Sequence, residues 1–108
     1  MVNGKWQIIA EDKWHYYANL VSSSGEVLLR SETYSALSGV KSGIETIKKN
    51  IERNNFALSV DKNGKFFFKL YSSSTRILCI SEVYTSLEHC NNAIKLVKKY
   101  FNSPTITN

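Results

Sequence analysis

The sequence predicts an α+β fold of two tandem β-β-β-α repeats, in which an antiparallel sheet of about six strands carries two helices on one face. Two observations lead to this prediction. The halves of the 108-residue chain align without a gap at an offset of 50 positions, and in each half the apolar spacing changes from two residues to three and four. Because one such unit cannot bury its own apolar face, the two repeats are expected to close each other.

The alignment contains twelve identical positions and sets the domain boundaries. We assign 1–101 to one duplicated domain, with repeat one at 4–53 and repeat two at 54–101. Residues 102–108 have no counterpart in repeat one, so we expect a flexible C-terminal tail. The identical pairs are Leu20/Leu70, Ser22/Ser72, Ser23/Ser73, Ser24/Ser74, Leu28/Leu78, Ser31/Ser81, Glu32/Glu82, Tyr34/Tyr84, Leu37/Leu87, Ile44/Ile94, Lys48/Lys98 and Lys49/Lys99.

Each repeat begins with two strands whose apolar residues alternate, and the short connections between them require antiparallel pairing. Asn63-Gly64 marks one hairpin turn, because both residues tolerate positive φ. The third strand is almost continuously apolar, at 27–29 and 77–80, which predicts burial on both faces. The alternating residues are Trp6, Ile8, Ala10, Tyr16, Ala18 and Leu20 in repeat one, and Phe56, Leu58, Val60, Phe66, Phe68 and Leu70 in repeat two.

Apolar residues three and four apart predict one amphipathic helix at the end of each repeat. Ser35 and Thr85 lie at the expected N-caps, and Thr85 with Glu88 fits a capping box. The helical stripes are Leu37, Val40, Ile44, Ile47 and Ile51 in repeat one, and Leu87, Cys90, Ile94, Val97 and Phe101 in repeat two.

Composition excludes several classes of protein. The chain is 43% hydrophobic and 21% charged, as globular domains are, and its net charge is +5. No apolar segment is long enough to span a membrane, so we expect a soluble, cytoplasmic protein that does not bind membranes. Cys79 and Cys90 align with Leu29 and Val40 and are therefore predicted to be reduced core residues.

The residues that could carry catalysis do not form a recognisable active site. His15 and His89 fall outside the repeat pattern, since neither aligns with a second histidine. We therefore predict no enzyme, no catalytic residues, no metal and no cofactor. The densest shared motif, Ser-Glu-x-Tyr, lies between the third strand and the helix and is interpreted as a structural corner. It comprises Ser31, Glu32, Tyr34, Ser81, Glu82 and Tyr84.

Two surfaces are candidate binding sites. Counting by twos along the second strands places aromatic and basic residues on the sheet face away from the helices, where a protein partner is favoured and single-stranded nucleic acid is the alternative. The apolar stripe of helix two is wider than that of helix one, which favours a homodimer. The sheet residues are Tyr17, Asn19, Lys65, Phe67, Lys69 and Tyr71, with His15 and Val21 on the same face, and the helix residues are Ala93, Leu96 and Tyr100.

One stretch carries a family resemblance. Gly-Glu-Val-Leu-Leu-Arg-Ser-Glu-Thr-Tyr at 25–34, followed by Gly-Ile-Glu-Thr-Ile at 43–47, resembles the signature of the YegP-like family, as do Gly4-Lys5-Trp6 and Gly-Lys-Phe-Phe at 64–67. The resemblance covers nearly the whole chain and implies tandem β-β-β-α units in a small bacterial protein. The family brings no catalytic or binding residues. The expected function is therefore a non-enzymatic interaction or structural module that self-associates.

Overall fold

The computed structural model describes residues 4–73 and 75–107, and it confirms the α+β fold. Within this part of the chain, seven strands form one sheet and two helices accompany it. No helix of the described residues is long and apolar enough to cross a membrane. The elements in chain order are β1 (Lys5–Asp12), β2 (His15–Val21), β3 (Val27–Ser31), α1 (Leu37–Glu52), β4 (Phe56–Val60), β5 (Phe66–Tyr71), β6 (Ile77–Ile80), α2 (Leu87–Tyr100) and β7 (Thr105–Thr107).

The two repeats join in the middle of the sheet. The strand order is β4-β5-β6-β3-β2-β1-β7, and β3 pairs antiparallel with β6, with Arg30 opposite Ile80 and Ser31 opposite Cys79. Arg30 and Ile80 are equivalent residues of the two repeats, so the pseudo-twofold axis passes between them. Neighbouring strands within each repeat are also antiparallel, as predicted.

The repeats share one interior. Helix α1 packs on β2 and β5, and α2 packs on β2, β3 and β5, so each helix contacts strands of both repeats. Burial of apolar area on this scale is the main source of folding free energy. The buried core consists of Trp6, Ile8, Ala18, Leu20, Leu28, Leu29, Val40, Ile44, Ile47, Ile51, Phe68, Leu70, Leu78, Cys79, Cys90, Ala93 and Val97.

The two cysteines lie in this core, as predicted. Cys79 and Cys90 are both free and buried. Burial raises the pKa of each thiol, because the charged thiolate loses its hydration. Both side chains therefore act as small apolar groups.

The prediction of a flexible tail is wrong for the described residues up to 107. Strand β7 pairs parallel with β1, placing Thr105 opposite Trp6 and Thr107 opposite Ile8. The backbone N–H of Trp6 donates to the Pro104 carbonyl at 2.9 Å, and Trp6 Nε1 donates to the Phe101 carbonyl at 2.8 Å. Trp6 thus holds the end of α2 close to β1, and the following residues complete an edge that would otherwise be open.

The N-cap of each helix lies one residue later than predicted. The N-caps are Ala36 and Ser86 rather than Ser35 and Thr85, and the Ser86 side chain accepts from the His89 backbone N–H at 3.1 Å. The reason lies upstream: the chain is still extended at Tyr34, whose backbone exchanges two hydrogen bonds with Tyr16 at 2.7 and 2.8 Å. Tyr84 is bound to Phe66 in the same way. A helix cannot start until the backbone leaves this bridge.

The predicted hairpin at Asn63-Gly64 is present, with a different backbone from the one expected. Only Gly64 has positive φ, at 77°. Its N–H donates to the Asp61 carbonyl at 3.0 Å, while Asp61 Oδ1 accepts from the N–H groups of Asn63 and Lys65, each at 2.9 Å. The Asp61 side chain therefore accepts the backbone N–H groups of the turn, and the turn forms without a positive φ at Asn63.

The turns before β3 and β6 follow the same path with different residues. Gly25 and Thr75 each donate a backbone N–H at 3.0 Å, to the carbonyls of Ser22 and Ser72. Gly25 has φ of 89° and Thr75 has φ of 68°. A β-branched residue is strained in this left-handed region. Repeat two thus keeps the turn at a conformational cost.

Replacing Thr75 by glycine is expected to raise the free energy of unfolding by about 1 kcal/mol, because relief of strain exceeds the entropy cost of glycine. Urea unfolding followed by circular dichroism measures the change. The reciprocal Gly25→Thr variant is the control, and its free energy of unfolding should fall by about 1 kcal/mol or more. Equal stability of Thr75→Gly and the parent would contradict the assignment of strain to this turn.

Candidate functional site

The sheet face away from the helices, called the open face below, has a continuous row of residues across it. The register aligns one residue from each strand on this face. Arg30 and Ile80 lie at the centre of the row, where the pseudo-twofold axis crosses the sheet. The row consists of Ile106, Gln7, Asn19, Arg30, Ile80, Lys69 and Ala57.

Two cations of this face lie on aromatic rings. The guanidinium carbon of Arg30 is 4.0 Å from the ring centroid of Tyr17, and Nζ of Lys69 is 5.5 Å from that of Phe67. Tyr17 and Phe67 are equivalent residues, but their cations come from different strands. Each ring thus has one face occupied by its own chain, which disfavours base stacking there. Nucleic-acid binding by this surface stays a prediction.

The open face differs from the predicted surface in what it exposes. Asn19 is only 9% exposed and Val21 5%, and both lie on β2, which has β1 on one side and β3 on the other. By contrast, Ile77 and Ile80, predicted to be buried on both faces, are 39% and 46% exposed. No second layer of the described chain covers them. Arg30 was missed as a candidate, although its place in β3, one residue past the apolar run, was the available signal.

A groove of about 400 Å³ opens where β3 and β6 diverge. These strands pair over only a short register, so their ends separate on either side of the axis. The groove contains the central cation Arg30 and the exposed Ile80. Its lining is Arg30, Ser31, Glu32, Ile77, Leu78, Cys79, Ile80, Ser81 and Glu82.

The serines of the Ser-Glu-x-Tyr motif are structural hydrogen-bonding groups. Ser31 Oγ accepts from the Ala18 N–H at 2.8 Å and donates to the Glu32 carbonyl at 2.8 Å. Ser81 Oγ repeats this with the Phe68 N–H at 2.9 Å and the Glu82 carbonyl at 2.8 Å. Each hydroxyl therefore bridges two strands inside the core, and neither is placed to act as a nucleophile.

Corner one is defined by Glu32, Tyr34 and Arg76. Glu32 Oε1 accepts from Arg76 Nη2 at 2.5 Å, and Oε2 accepts a long hydrogen bond from Tyr34 Oη at 3.4 Å. Tyr34 packs closely against α1, since a Cβ on Gly43 would lie 2.2 Å from its Oη. Burial and the adjacent Glu32 carboxylate raise the pKa of Tyr34 to about 12, so the phenol stays protonated and donates.

Corner two consists of the equivalent residues Glu82, Tyr84 and Glu26, so a carboxylate stands where corner one has its arginine. The Tyr84 hydroxyl is buried and has no hydrogen-bond partner among residues 4–73 and 75–107. Burial and the Glu26 carboxylate raise the pKa of Tyr84 to about 12. A cavity of about 330 Å³ adjoins it, lined by Glu26, Tyr84, His89, Asn92, Ala93 and Leu96.

The widened surface of α2 is largely covered by its own chain. Ala93 is only 3% exposed and belongs to the core, so it offers no surface to a partner, contrary to the prediction. Tyr100 Oη lies 2.8 Å from Ser23 Oγ, and the Tyr100 ring packs against Gly4, where a Cβ would be 2.8 Å from it. Leu96 is half-buried. Repeat one thus closes over this part of the helix.

The outer edge of β4 is a further apolar surface that the described chain leaves open, in addition to Ile77 and Ile80 on the open face. Leu58 is 48% exposed and Val60 60%, whereas Ile8, the equivalent of Leu58, is 1% exposed. The difference follows from β7, which lies beside β1 at Ile8, while β4 has only β5 as a neighbour in the described sheet. The helices repeat the contrast: Ile44 is buried and its equivalent Ile94 is half-buried.

Outside the corners, the titratable side chains His15 and Asp12 lie close together. His15 Nδ1 lies 2.7 Å from Asp12 Oδ1 on an exposed turn, and hydrogen bonds from the Trp14 N–H and His15 lower the pKa of Asp12. In the described ranges, no group of three or more His, Cys, Asp or Glu residues could hold a metal ion.

Fold and surfaces together define a small duplicated β-β-β-α domain whose sheet is covered on one face and open on the other. Two solved structures share this architecture over the whole chain. The protein of unknown function yegP from E. coli has a TM-score of 0.90 at 22% identity, covering 100% of this chain and 95% of its own. UPF0339 protein SO3888 from Shewanella oneidensis has a TM-score of 0.85 at 29% identity, covering 99% and 93%.

The chain belongs to the family described as domain of unknown function DUF1508, which matches residues 13–54 and again 61–107. The double match agrees with the duplication, and the family resemblance in the sequence is confirmed. UPF0339 protein PA0329 from Pseudomonas aeruginosa is 39% identical over 54 residues, 49% of each chain. UPF0339 protein plu2779 from Photorhabdus laumondii is 33% identical over 69 residues, 63% of this chain and 60% of the relative. The matches span less than two thirds of these relatives.

Nothing in these similarities indicates an enzyme, and the family's function is unknown.

Proposed function

We propose that the protein is a non-enzymatic interaction module that forms a homodimer by pairing β4 with β4 of a second copy. The observation that carries this proposal is the difference between the two edges of the sheet, since β7 covers β1 while β4 stays open. Strand edges of this length are usually protected by a charge, a proline or a bulge. The sequence of β4, Phe-Ala-Leu-Ser-Val, contains no charge and no proline.

The backbone of β4 has N–H and C=O groups that point away from β5 and could pair with a second strand. The Tyr71 N–H donates to the Asn55 carbonyl at 2.9 Å, so alternate residues from Asn55 point their backbone groups toward β5. The groups of Phe56, Leu58 and Val60 therefore point outward. Their side chains lie on the helix-covered face, opposite Leu70, Phe68 and Phe66. An added strand would satisfy the backbone and cover Leu58 and Val60 in one step.

A second copy fits this edge better than an exchanged strand. The most economical arrangement is antiparallel, with Leu58 of each copy opposite the other on a twofold axis, since one patch then serves both subunits. If β7 left β1 and paired with β4 of the second copy, the edge of β1 would become exposed in place of the edge of β4. Such an exchange would therefore not reduce the number of open edges. Pairing through β4 leaves β7 in place and extends the sheet across both subunits.

Replacing Leu58 by lysine is expected to weaken dimerisation by about ten-fold or more, because a charge is placed at the centre of the interface. Sedimentation velocity over a range of concentrations measures the equilibrium. The matched control is Leu87→Lys, since Leu87 is 45% exposed and is the first residue of α2 rather than part of the edge strand. It should dimerise like the parent. A parent protein that is strictly monomeric, or two variants with the same affinity, would overturn the proposal.

A further inference from the structure

The geometry points to a recognition site for a guanidinium group at corner two, in which a ligand takes the place that Arg76 takes at corner one. The pseudo-twofold axis exchanges Glu32 with Glu82, Tyr34 with Tyr84 and Arg76 with Glu26. One copy of the motif is thus occupied by an arginine of the same chain. The other copy keeps the acceptor and the phenol and lacks the cation.

Corner one supplies the template for binding. Glu32 uses one carboxylate oxygen for the Arg76 guanidinium and the other for the Tyr34 hydroxyl. Charge-assisted hydrogen bonds between arginine and a carboxylate are among the strongest in proteins, because the planar donors match the carboxylate oxygens. An identical Ser-Glu-x-Tyr backbone at corner two places Glu82 and Tyr84 in the same relation to the sheet.

The carboxylates of corner two can accept hydrogen bonds from a cation, as Glu32 does from Arg76 at corner one. Neither Glu26 nor Glu82 forms an ion pair with any residue in the described ranges, and both are exposed. Independently of these charges, the Tyr84 hydroxyl is fully enclosed and unpaired within the same ranges, which is costly for a buried donor. A bound guanidinium would hold Glu82 beside Tyr84. The Glu82 carboxylate could then accept from the Tyr84 hydroxyl, as the Glu32 carboxylate accepts from Tyr34.

The adjoining cavity provides room for more than the charged group. Its volume of about 330 Å³ is bounded by Glu26 and Tyr84 on one side and by the α2 residues Asn92 and Leu96 on the other. The half-buried Leu96 can contact the methylene stem of an arginine, and Asn92 offers a polar side chain beside it. The ligand class is therefore an arginine side chain or a small molecule that carries a guanidinium.

The test is a titration of the ¹⁵N-labelled protein with L-arginine, followed by amide chemical shifts. Saturable shifts should centre on Glu26, Glu82 and Tyr84. L-citrulline, which has the same shape without the charge, should leave them unmoved. Glu82→Gln should weaken binding by about ten-fold or more, since a charge-assisted pair is lost. Glu88→Gln, an exposed glutamate on the first turn of α2 outside the cavity, is the matched control.

A second variant tests the symmetry argument itself. Glu26→Arg should fill corner two from within, as Arg76 fills corner one, and should abolish binding of added arginine. A blocked Gly-Arg-Gly peptide distinguishes the source: binding equal to that of L-arginine indicates a protein side chain, and binding of L-arginine alone indicates a small molecule. Absence of saturable shifts, an equal response to citrulline, or unchanged affinity in Glu82→Gln would overturn the inference.

Discussion

Replacing Trp6 by alanine is expected to lower the free energy of unfolding by about 3 to 5 kcal/mol. Trp6 is fully buried, so truncation removes a large apolar surface and leaves a cavity. It also removes the indole Nε1–H group, which donates a hydrogen bond to the Phe101 carbonyl at 2.8 Å. Urea unfolding followed by circular dichroism measures the loss, since the variant keeps only the exposed Trp14 as a tryptophan probe.

The repeat supplies two matched controls for Trp6. Phenylalanine is the equivalent residue in repeat two, at Phe56, so Trp6→Phe keeps an aromatic ring and loses only the hydrogen bond and some volume. It should cost about 1 to 2 kcal/mol. Phe56→Ala should cost less than Trp6→Ala, because Phe56 is half-buried at the open edge. Equal losses at Trp6 and Phe56 would contradict the view that β7 makes the two edges energetically different.

Most of the fold could be predicted because the chain contains two versions of each element. A strand that is ambiguous in one copy is clear in the other: Phe66, Phe68 and Leu70 show the alternation that Tyr16, Ala18 and Leu20 show less strongly. The offset of 50 residues then requires the same element in both copies. The pairing of β3 with β6 could not be predicted, because nothing in the sequence states where a pseudo-twofold axis crosses the sheet.

The seventh strand was missed for a physical reason. Residues 105–107 have no counterpart in the repeat and carry no alternation long enough to detect. Their conformation is imposed by the free edge of β1, through the Trp6 N–H that donates to the Pro104 carbonyl. Tertiary contacts of this kind decide short strands, and local sequence does not.

The candidate sites were predicted less well than the fold, because they depend on the differences between the repeats. The alignment already showed that Glu26 of repeat one is equivalent to Arg76 of repeat two. The consequence of this difference became clear only from the structure, in which Arg76 donates to Glu32. The same applies to Arg30, which lies on Tyr17 from the neighbouring strand. Side-chain pairs between strands follow from register, and register was not available from the sequence.

Replacing Ser31 and Ser81 together by alanine is expected to lower the free energy of unfolding by about 2 to 6 kcal/mol, with each single change costing about 1 to 3 kcal/mol. Both serines are buried, and each hydroxyl accepts a backbone N–H of the second strand, from Ala18 or Phe68. Alanine leaves that N–H buried without an acceptor, which costs more than the lost bond alone.

The single variants also test the duplication. Because the two serines make the same bonds on opposite sides of the pseudo-twofold axis, Ser31→Ala and Ser81→Ala should cost similar amounts, and their effects should add within about 0.5 kcal/mol if the sites are independent. Threonine at either position keeps the hydroxyl and should recover part of the loss. Urea unfolding of the four proteins gives the cycle. A double variant as stable as the parent would show that the Ser-Glu-x-Tyr corner does not hold the second and third strands together, and the structural role of the motif would then be wrong.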